Sequence, residues 1–406
     1  MSEGEIRSVY LDRYMLPSLV GGGVLLALVI IGGIFNNWDM FFRAWLFAWF
    51  FWLGVPLGAL AVIMLHHMTG GGWGYLVRRF GEAAAVCVPV MAVLFIPILI
   101  GYHYVYPWAD PHFAHDAVVQ HKAAWLNFPL WFVRFLIYFA AFFGLAWVLR
   151  VTSLATDGPG DVTPLHVRFN RVSAGGIVAY FVLMTLGAID WVMSRDPHWY
   201  STVFGFLICI GQSITGVCFL IMLLGIFSRN MKYASVIRPN YLNDLGNVLL
   251  TFVILWAYLG LSQFLIIWLG DIQHEIEWYI RRTDHGWRWV GGILIAFHFL
   301  VPFILLLQRP LKRKIARLVT IAAFMFFIHI LDVLFIVTAT GHDTHSPGWW
   351  VLAQLMNLGA WLGIGGVFVG CFTWVLRRAP ILPMGERIHV VLVDHAHGQQ
   401  PASQAV

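Results

Sequence analysis

The sequence predicts an all-α membrane protein with about ten transmembrane helices, and three observations support this class. Of the 406 residues, 60% are hydrophobic and only 11% are charged, whereas soluble domains carry about 25% charged residues. The mean hydropathy is +0.77. The apolar residues form continuous runs that can cross a hydrocarbon core of about 30 Å, and they do not alternate with polar residues as barrel strands do. The composition therefore excludes a soluble globular protein.

The predicted helices lie near residues 17–35, 43–66, 83–105, 124–149, 172–194, 200–227, 245–270, 289–308, 316–338 and 349–376. Residues 1–16 are predicted to form a polar cytoplasmic segment without a cleavable signal. Residues 17–377 form a single membrane domain in this interpretation, and residues 378–406 form a cytoplasmic tail.

The distribution of positive charge predicts the orientation. Most of the 25 Lys and Arg residues fall on the side that holds both termini, which indicates that both termini are cytoplasmic. The net charge of +5 is therefore a topology signal and does not indicate a nucleic-acid partner. On the same side, the run Gly70–Gly74 lacks the Lys-Ser/Thr of a phosphate loop and is predicted to be a flexible turn. Glu82 is predicted to start the third helix.

A weak internal repeat relates residues 43–194 to residues 200–338. Asp190 in the fifth helix and Asp332 in the ninth occupy matching positions, and each precedes an outward corner that contains Pro and Trp. The pattern predicts two four-helix bundles, made of helices 2–5 and 6–9, with one peripheral helix at each end of the chain.

Ionisable side chains inside the predicted helices are the candidates for a functional site, because charges are costly in lipid and mark ion or substrate pathways. Asp and His can exchange protons, and an arginine keeps a neighbouring carboxylate ionised. A structural ion pair and a ligand site are the alternatives. The candidates for a proton path are Asp190, Arg134, His298, His329 and Asp332, with Glu82 and His66 at its cytoplasmic end.

Histidines and cysteines are the residues of this sequence that could hold a haem or a metal cofactor. His298 and His329 are predicted at equal depth on neighbouring helices, as bis-His haem ligation requires. Only one such pair is evident, and a lone core histidine is usually hydrogen-bonded, so the residues argue against haem. His66 and His67 point to different helix faces. The four cysteines lie in apolar helices without CxxC spacing and are predicted to be packing residues.

Five motifs carry a family resemblance. They are Leu65-His66-His67-Met68-Thr69-Gly70-Gly71-Gly72-Trp73-Gly74, Tyr106-Pro107-Trp108-Ala109, Trp125-Leu126-Asn127-Phe128-Pro129 followed by Arg134, Asp190-Trp191-Val192-Met193-Ser194, and Asp196-Pro197-His198-Trp199-Tyr200-Ser201-Thr202. Together they resemble the NrfD-like membrane subunits of bacterial alternative complex III. The resemblance covers residues 14–380, and the short chain with its Gly-rich second loop is more similar to the ActF-type than to the ActC-type subunit.

The resemblance implies a subunit without a redox centre in a bacterial inner-membrane quinol:cytochrome c, or other acceptor, oxidoreductase. Such a subunit supports quinol oxidation and proton translocation, with menaquinone or ubiquinone as the quinone. Its implied partners are iron–sulfur and c-type haem subunits, a paralogous NrfD-like subunit and membrane lipids. His198, Trp199 and Tyr200 would line an outer quinone pocket or contact the cluster-bearing partner.

Two other functions stay open from the residues alone. A secondary transporter built from two repeats would have helix breaks at matching positions in both halves, and Pro89, Pro97 and Pro302 do not match in this way. A purely structural membrane scaffold would use its buried charges only to fix helix packing.

Overall fold

The computed structural model describes residues 3–158, 162–283, 286–339 and 347–383. These ranges are helical and contain no β-strand, and ten of their helices are long and apolar enough to cross a membrane. The prediction of an all-α protein with about ten membrane-length helices is therefore confirmed. The predicted tail beyond residue 383 and residues 340–346, which precede Pro347 in the predicted corner after the ninth helix, lie outside the described residues.

The ten long helices are α1 (Glu3–Phe35), α2 (Trp38–Thr69), α3 (Gly72–Ala85, then Val88–Leu94 and Ile96–Ile100), α4 (Phe128–Ala155), α5 (Thr163–Trp191), α6 (Phe204–Phe227), α7 (Pro239–Gly270), α8 (Trp287–Ile293, Leu294–Leu300 and Val301–Leu307), α9 (Ile315–Thr338) and α10 (Pro347–Leu376). Short helical segments join them at Tyr102–Val105, Pro107–Ala109, Pro111–Phe113, Ala117–His121, Met193–Arg195, Met231–Ala234, Gln273–Arg281 and Arg309–Lys312. The segments after α1, α3, α5 and α7 and the last residues of α9 lie at one end of the molecule, here called the distal end. The other loops lie at the proximal end.

The start of α3 differs from the prediction. The helix begins at Gly72, so Glu82 lies well inside it, and only Gly70 and Gly71 form the turn, with φ of 69° and 95°. Glycine adopts such angles without strain. The prediction was wrong because Arg78 and Arg79 resemble a charged loop, whereas both are buried inside the protein.

Helices α2 and α6 form the centre of the molecule. The most apolar 18-residue window of α2 is completely buried, and that of α6 is 94% buried. The two helices cross where Gly58 meets Gly216, because a Cβ added to Gly58 would lie 1.8 Å from the carbonyl oxygen of Gln212. Small residues allow this close backbone approach in membrane proteins.

The other helices surround this pair. Helix α2 also packs against α3, α5, α9 and α10, and α6 packs against α5, α7 and α9. Helices α4 and α5 contact each other, as do α7 and α8. Helices α1 and α10 pack along each other, and a Cβ on Gly366 would lie 2.8 Å from the Cα of Gly22. The Trp52 indole joins α2 to α10 by donating to the carbonyl oxygen of Trp361 at 2.7 Å.

Two of the long helices are interrupted. In α3 the breaks leave carbonyl groups that accept hydrogen bonds from α2, where Trp45 donates to Leu94 and Trp49 donates to Met91. In α8 the middle segment Leu294–Leu300 is a π-helix. It precedes Pro302, which has no N–H group for the ordinary helical hydrogen bond. Such π-turns are frequent at functional sites.

Candidate functional site

Asp190, next to the last residue of α5, has a fully buried carboxylate that accepts hydrogen bonds from three side chains. Arg134 of α4 donates from Nε to Oδ2 at 2.7 Å and from Nη2 to Oδ1 at 2.8 Å. Trp125 donates from Nε1 to Oδ1 at 2.9 Å, and the Tyr138 hydroxyl donates to Oδ2 at 2.9 Å. Two-point pairing of a guanidinium with a carboxylate is strong and directional.

The Asp190 carboxylate is saturated by these partners. Four donated hydrogen bonds occupy the roughly four lone-pair sites of a carboxylate. Arg134 is itself fixed, since its guanidinium lies 4.1 Å over the Trp125 ring and donates to the Trp125 carbonyl oxygen at 3.0 Å. Another proton donor can therefore bind to the Asp190 carboxylate only if one of these hydrogen bonds breaks. This geometry corresponds to the structural ion pair considered from the sequence.

A second buried cluster joins α8 to α9. Nε2 of His298 lies 3.0 Å from Nδ1 of His329, which lies 3.3 Å from Oδ2 of Asp332. Trp256 of α7 donates from Nε1 to the same carboxylate oxygen at 3.2 Å, and its ring centroid lies 4.2 Å from that of His298. The structure therefore brings together three of the five predicted path residues, and the π-turn of α8 carries His298 to this contact.

A small cavity of about 10 Å³ borders this cluster, with room for about one water molecule. Gly211 and Gln212 of α6 line it together with His329 and Asp332. The two imidazoles hydrogen-bond directly and the space beside them is small. This geometry does not support the bis-His haem alternative.

At the proximal end, Glu82 is held between two arginines. Nε of Arg78 and Nη1 of Arg79 each lie 3.3 Å from its carboxylate oxygens. Arg79 also contacts Asp157 at 2.6 Å and donates to the carbonyl oxygen of Ser153 at 3.1 Å. These contacts tie α3 to the end of α4.

His66 and His67 face different directions, as predicted, with their ring planes at 87°. A ring nitrogen of His66 lies 3.1 Å from the carbonyl oxygen of Gly71. His67 contacts the Ser173 hydroxyl of α5 at 3.0 Å and stacks on Phe169. His66 thus stabilises the α2–α3 turn, and its hydrogen-bond partner is not Glu82.

A larger cavity of about 310 Å³ lies at the distal end and is called the distal cavity. Its volume is within the range of small-molecule pockets, about 300–1,000 Å³. The lining combines aromatic rings with both signs of charge. The charged residues that line it are Asp39, Arg43, Asp110, Arg195, Asp196, Arg281 and Arg282.

Two of the three residues predicted for an outer pocket line the distal cavity, namely His198 and Trp199. Tyr200 is not part of the lining: it is 51% exposed, and Lys122 Nζ lies 5.7 Å from its ring centroid. Nε2 of His198 lies 3.0 Å from Oδ2 of Asp116. Asp116 was not identified from the sequence, because it lies in the loop before Ala117–His121 and its pairing depends on tertiary structure.

Asp116 is itself fixed by the backbone. Its Oδ1 accepts hydrogen bonds from the N–H groups of Val118 at 2.8 Å and Val119 at 3.2 Å. The hydrogen bond from Val119 is the main cause that lowers the pKa of the Asp116 carboxyl, and His198 contributes in the same direction. The carboxylate therefore holds the His198 imidazole in one orientation.

Arg282 is a further residue that the sequence analysis missed. Its guanidinium donates to the carbonyl oxygens of Phe335 at 3.1 Å and Ile336 at 3.0 Å, near the end of α9. The last carbonyl groups of a helix lack intrahelical partners, so Arg282 caps α9. It also lies 3.4 Å over the ring of Trp278, which stacks on Trp199 with centroids 4.7 Å apart. The sequence signal that could have identified Arg282 is its position in the pair Arg281-Arg282, which follows the aromatic residues of the amphipathic segment Gln273–Arg281.

Comparison of the chain with protein-family models finds no match, and comparison with curated proteins finds none either. The resemblance to NrfD-like subunits therefore stays a prediction from motifs. The chemistry available to the protein has to be inferred from the distal cavity and the buried clusters.

Proposed function

We propose that this protein is a membrane subunit of a bacterial inner-membrane quinol:electron-acceptor oxidoreductase of the NrfD-like type, and that its distal cavity binds the quinol headgroup. The observation that carries this proposal is a cavity of about 310 Å³, lined by His198 and aromatic rings at one end of an apolar helical bundle. A quinol headgroup is a flat ring with two hydroxyl groups. It requires apolar walls, a few polar contacts and a proton acceptor.

His198 is the proton acceptor in this proposal. Its Nε2 is engaged by Asp116, which leaves Nδ1 to take the proton of a quinol hydroxyl. Oxidation of one quinol to quinone releases two protons and two electrons. The electrons pass to iron–sulfur and haem c partner subunits of the kind that the motif resemblance implies, and the protons leave toward the distal end.

The cavity walls suit an aromatic ligand. Trp199 is 2% exposed and is held between Trp278 and Phe204, with which it makes stacked and edge contacts. Nε1 of Trp199 and Nε of Arg195 are buried donors that make no hydrogen bond within the described residues. A quinone carbonyl oxygen is an acceptor for such groups. Fixed walls reduce the entropy lost when a ligand binds.

The orientation and helix grouping belong to the same proposal. Helices α2–α5 and α6–α9 would form two bundles joined at the α2–α6 crossing, with α1 and α10 outside, and the contacts among these helices support that grouping. The excess of Lys and Arg at the proximal end supports cytoplasmic termini and a periplasmic distal cavity.

Proton translocation by the predicted path stays a prediction. The network around Asp190 and the cluster around His298 share no residue among their contacts. The distal cavity offers a shorter exit for quinol protons, because His198 and Asp116 are both partly exposed.

A structural scaffold is the second candidate, and the saturated Asp190 network favours it. In that case no residue of the distal cavity takes part in turnover. A transporter is less well supported, because the interruptions in α3 and α8 do not occupy matching positions of the two predicted repeats.

Turnover of quinol in the native membrane complex tests the proposal. We expect His198→Gln to lower kcat by at least about 100-fold, the lower range for loss of a general base. Asp116→Asn should have a smaller effect, because it removes only the orienting carboxylate. His121→Gln, an exposed histidine near Asp116, is the matched control and should keep wild-type turnover. Full turnover of an assembled His198→Gln complex would favour the scaffold.

A further inference from the structure

The buried cluster of α8 and α9 presents three ligand atoms that converge. His298, His329 and Asp332 each offer one ligand atom, and these three atoms all lie within 4.8 Å of one another. We propose that these residues form a binding site for a divalent first-row transition-metal ion such as Zn²⁺. The site is separate from the distal cavity, and its existence does not depend on quinol binding there.

The ligand types and spacing fit such an ion. Zinc sites with an open position use three imidazole or carboxylate ligands and bonds of about 2.0–2.1 Å, which place neighbouring ligand atoms about 3.3 Å apart in a tetrahedron. The observed separations are 3.0 Å between the two histidines and 3.3 Å between His329 and Asp332. The ligand atoms of His298 and Asp332 lie within 4.8 Å of each other, and side-chain rotation that brings them to about 3.3 Å would place all three atoms around one ion.

The hydrogen-bond pattern gives an independent reason. Nδ1 of His329 faces both Nε2 of His298 and Oδ2 of Asp332. A neutral ring nitrogen either donates one proton or accepts one. If His298 donates to His329, then Asp332 faces a nitrogen without a proton. If His329 donates to Asp332, its single N–H proton has to be shared with the lone pair of His298 Nε2 in a weaker three-centre hydrogen bond. A cation where the lone pairs meet satisfies all three atoms.

The surroundings support the same inference. Trp256 donates to Asp332 and packs on His298, and such outer contacts orient metal ligands. The adjoining cavity of about 10 Å³ has room for one water as the fourth ligand.

An access route leads from the distal end. Ile336, one helical turn after Asp332, lines both the small cavity and the distal cavity. Its side chain therefore lies between the cluster and the larger space. Arg282 holds this position by donating to the Ile336 carbonyl oxygen. An ion entering from the distal end would pass Ile336.

The test is metal binding by the full-length protein in detergent, after removal of metal with a chelator. When Zn²⁺ is added back, we expect wild type to bind one more equivalent tightly than His298→Gln or Asp332→Asn. The affinity of each variant for this ion should fall by more than about 100-fold, which exceeds the loss seen when only an outer-shell partner of a ligand is removed. His67→Gln removes another buried histidine and should keep the site. Only variants whose melting temperature and gel-filtration profile match those of wild type are compared.

Two further variants keep the result interpretable. His329→Cys should retain binding and give a cobalt–thiolate charge-transfer band when Co²⁺ replaces Zn²⁺, which a poorly folded protein would not do. Ile336→Ala should load Zn²⁺ faster with the same final stoichiometry. Equal Zn²⁺ binding by wild type, His298→Gln and Asp332→Asn overturns the proposal, and the cluster then shares a proton instead of a metal ion.

Discussion

Arg134 and Asp190 meet in a two-point ion pair, with Nε to Oδ2 at 2.7 Å and Nη2 to Oδ1 at 2.8 Å. The two partners differ in their access to water: the Arg134 side chain is 12% exposed and that of Asp190 is fully buried. An arginine that loses its partner can move its charged group toward solvent. A fully buried carboxylate has no such escape.

The first prediction follows from this asymmetry. Arg134→Met should destabilise the protein by about 3–5 kcal/mol, the usual cost of leaving one member of a buried pair unpaired, and Asp190→Asn should destabilise it less. Thermal unfolding of the purified variants in one detergent measures the difference. Arg288→Met, at an exposed arginine, is the control. Equal melting temperatures for Arg134→Met and Asp190→Asn would show that the two charges are equally solvated.

The second prediction concerns the crossing of α2 and α6. Gly58→Ala should lower the melting temperature strongly, because its Cβ would lie 1.8 Å from a backbone oxygen that belongs to the partner helix. Overpacking a core typically costs about 1–3 kcal/mol, and a clash with backbone lies at the upper end. Gly144→Ala and Gly260→Ala are the matched controls, because apart from the chain neighbours and the local helix backbone no atom lies within 4 Å of the new Cβ. A Gly58→Ala protein as stable as these controls contradicts the crossing.

The third prediction is a pH dependence at the distal end. The backbone N–H of Val119 and its neighbours lower the pKa of the Asp116 carboxyl below its unfolded value of about 3.9. The ionised form is therefore bound more favourably in the folded state, and this stabilisation is present above about pH 4 and is lost as pH falls through the folded pKa.

Hydrogen exchange of the segment Ala117–His121 against pH measures this effect. We expect protection to fall below about pH 4 in wild type. Asp116→Asn should show weaker protection throughout and no such acid limb. His112→Gln, in the same loop but highly exposed, should behave as wild type. An acid limb that persists in Asp116→Asn assigns the titration to another carboxyl group.

The fourth prediction tests the orientation. Gln120 at the distal end and Gln308 at the proximal end are both exposed. In intact spheroplasts, Gln120→Cys should react with a membrane-impermeant maleimide, whereas Gln308→Cys should react only after lysis. Three of the four native cysteines are buried and the fourth is half-buried, so the background should be low. The reverse labelling pattern would place the distal cavity in the cytoplasm and remove the periplasmic exit for quinol protons.

The sequence predicted the helices well because hydrophobic length is a local property. The contact of His329 with Asp332 is equally local, since residues three apart on a helix are neighbours. The contact with His298 could not be predicted from the sequence, because it depends on a π-turn in α8 that changes the register of that helix. The pattern of apolar residues along a helix does not indicate where such a turn occurs.

The distal cavity could not be predicted in the same way. His198 and Trp199 were identified from a motif, but their partners Asp116 and Trp278 come from other loops. Their meeting depends on the positions of whole helices. The start of α3 was mispredicted for a related reason. Arg78 and Glu82 form a buried ion pair, but in the sequence their charges are typical of a solvent-exposed loop.

The packing of α1 against α10 has a consequence for biosynthesis. About 310 residues separate the end of α1 from the start of α10, which at about 5–20 residues per second take on the order of 15–60 s to translate. During this interval the glycine face around Gly22 has no partner from its own chain. Until α10 has been synthesised, α1 therefore packs mainly against α2.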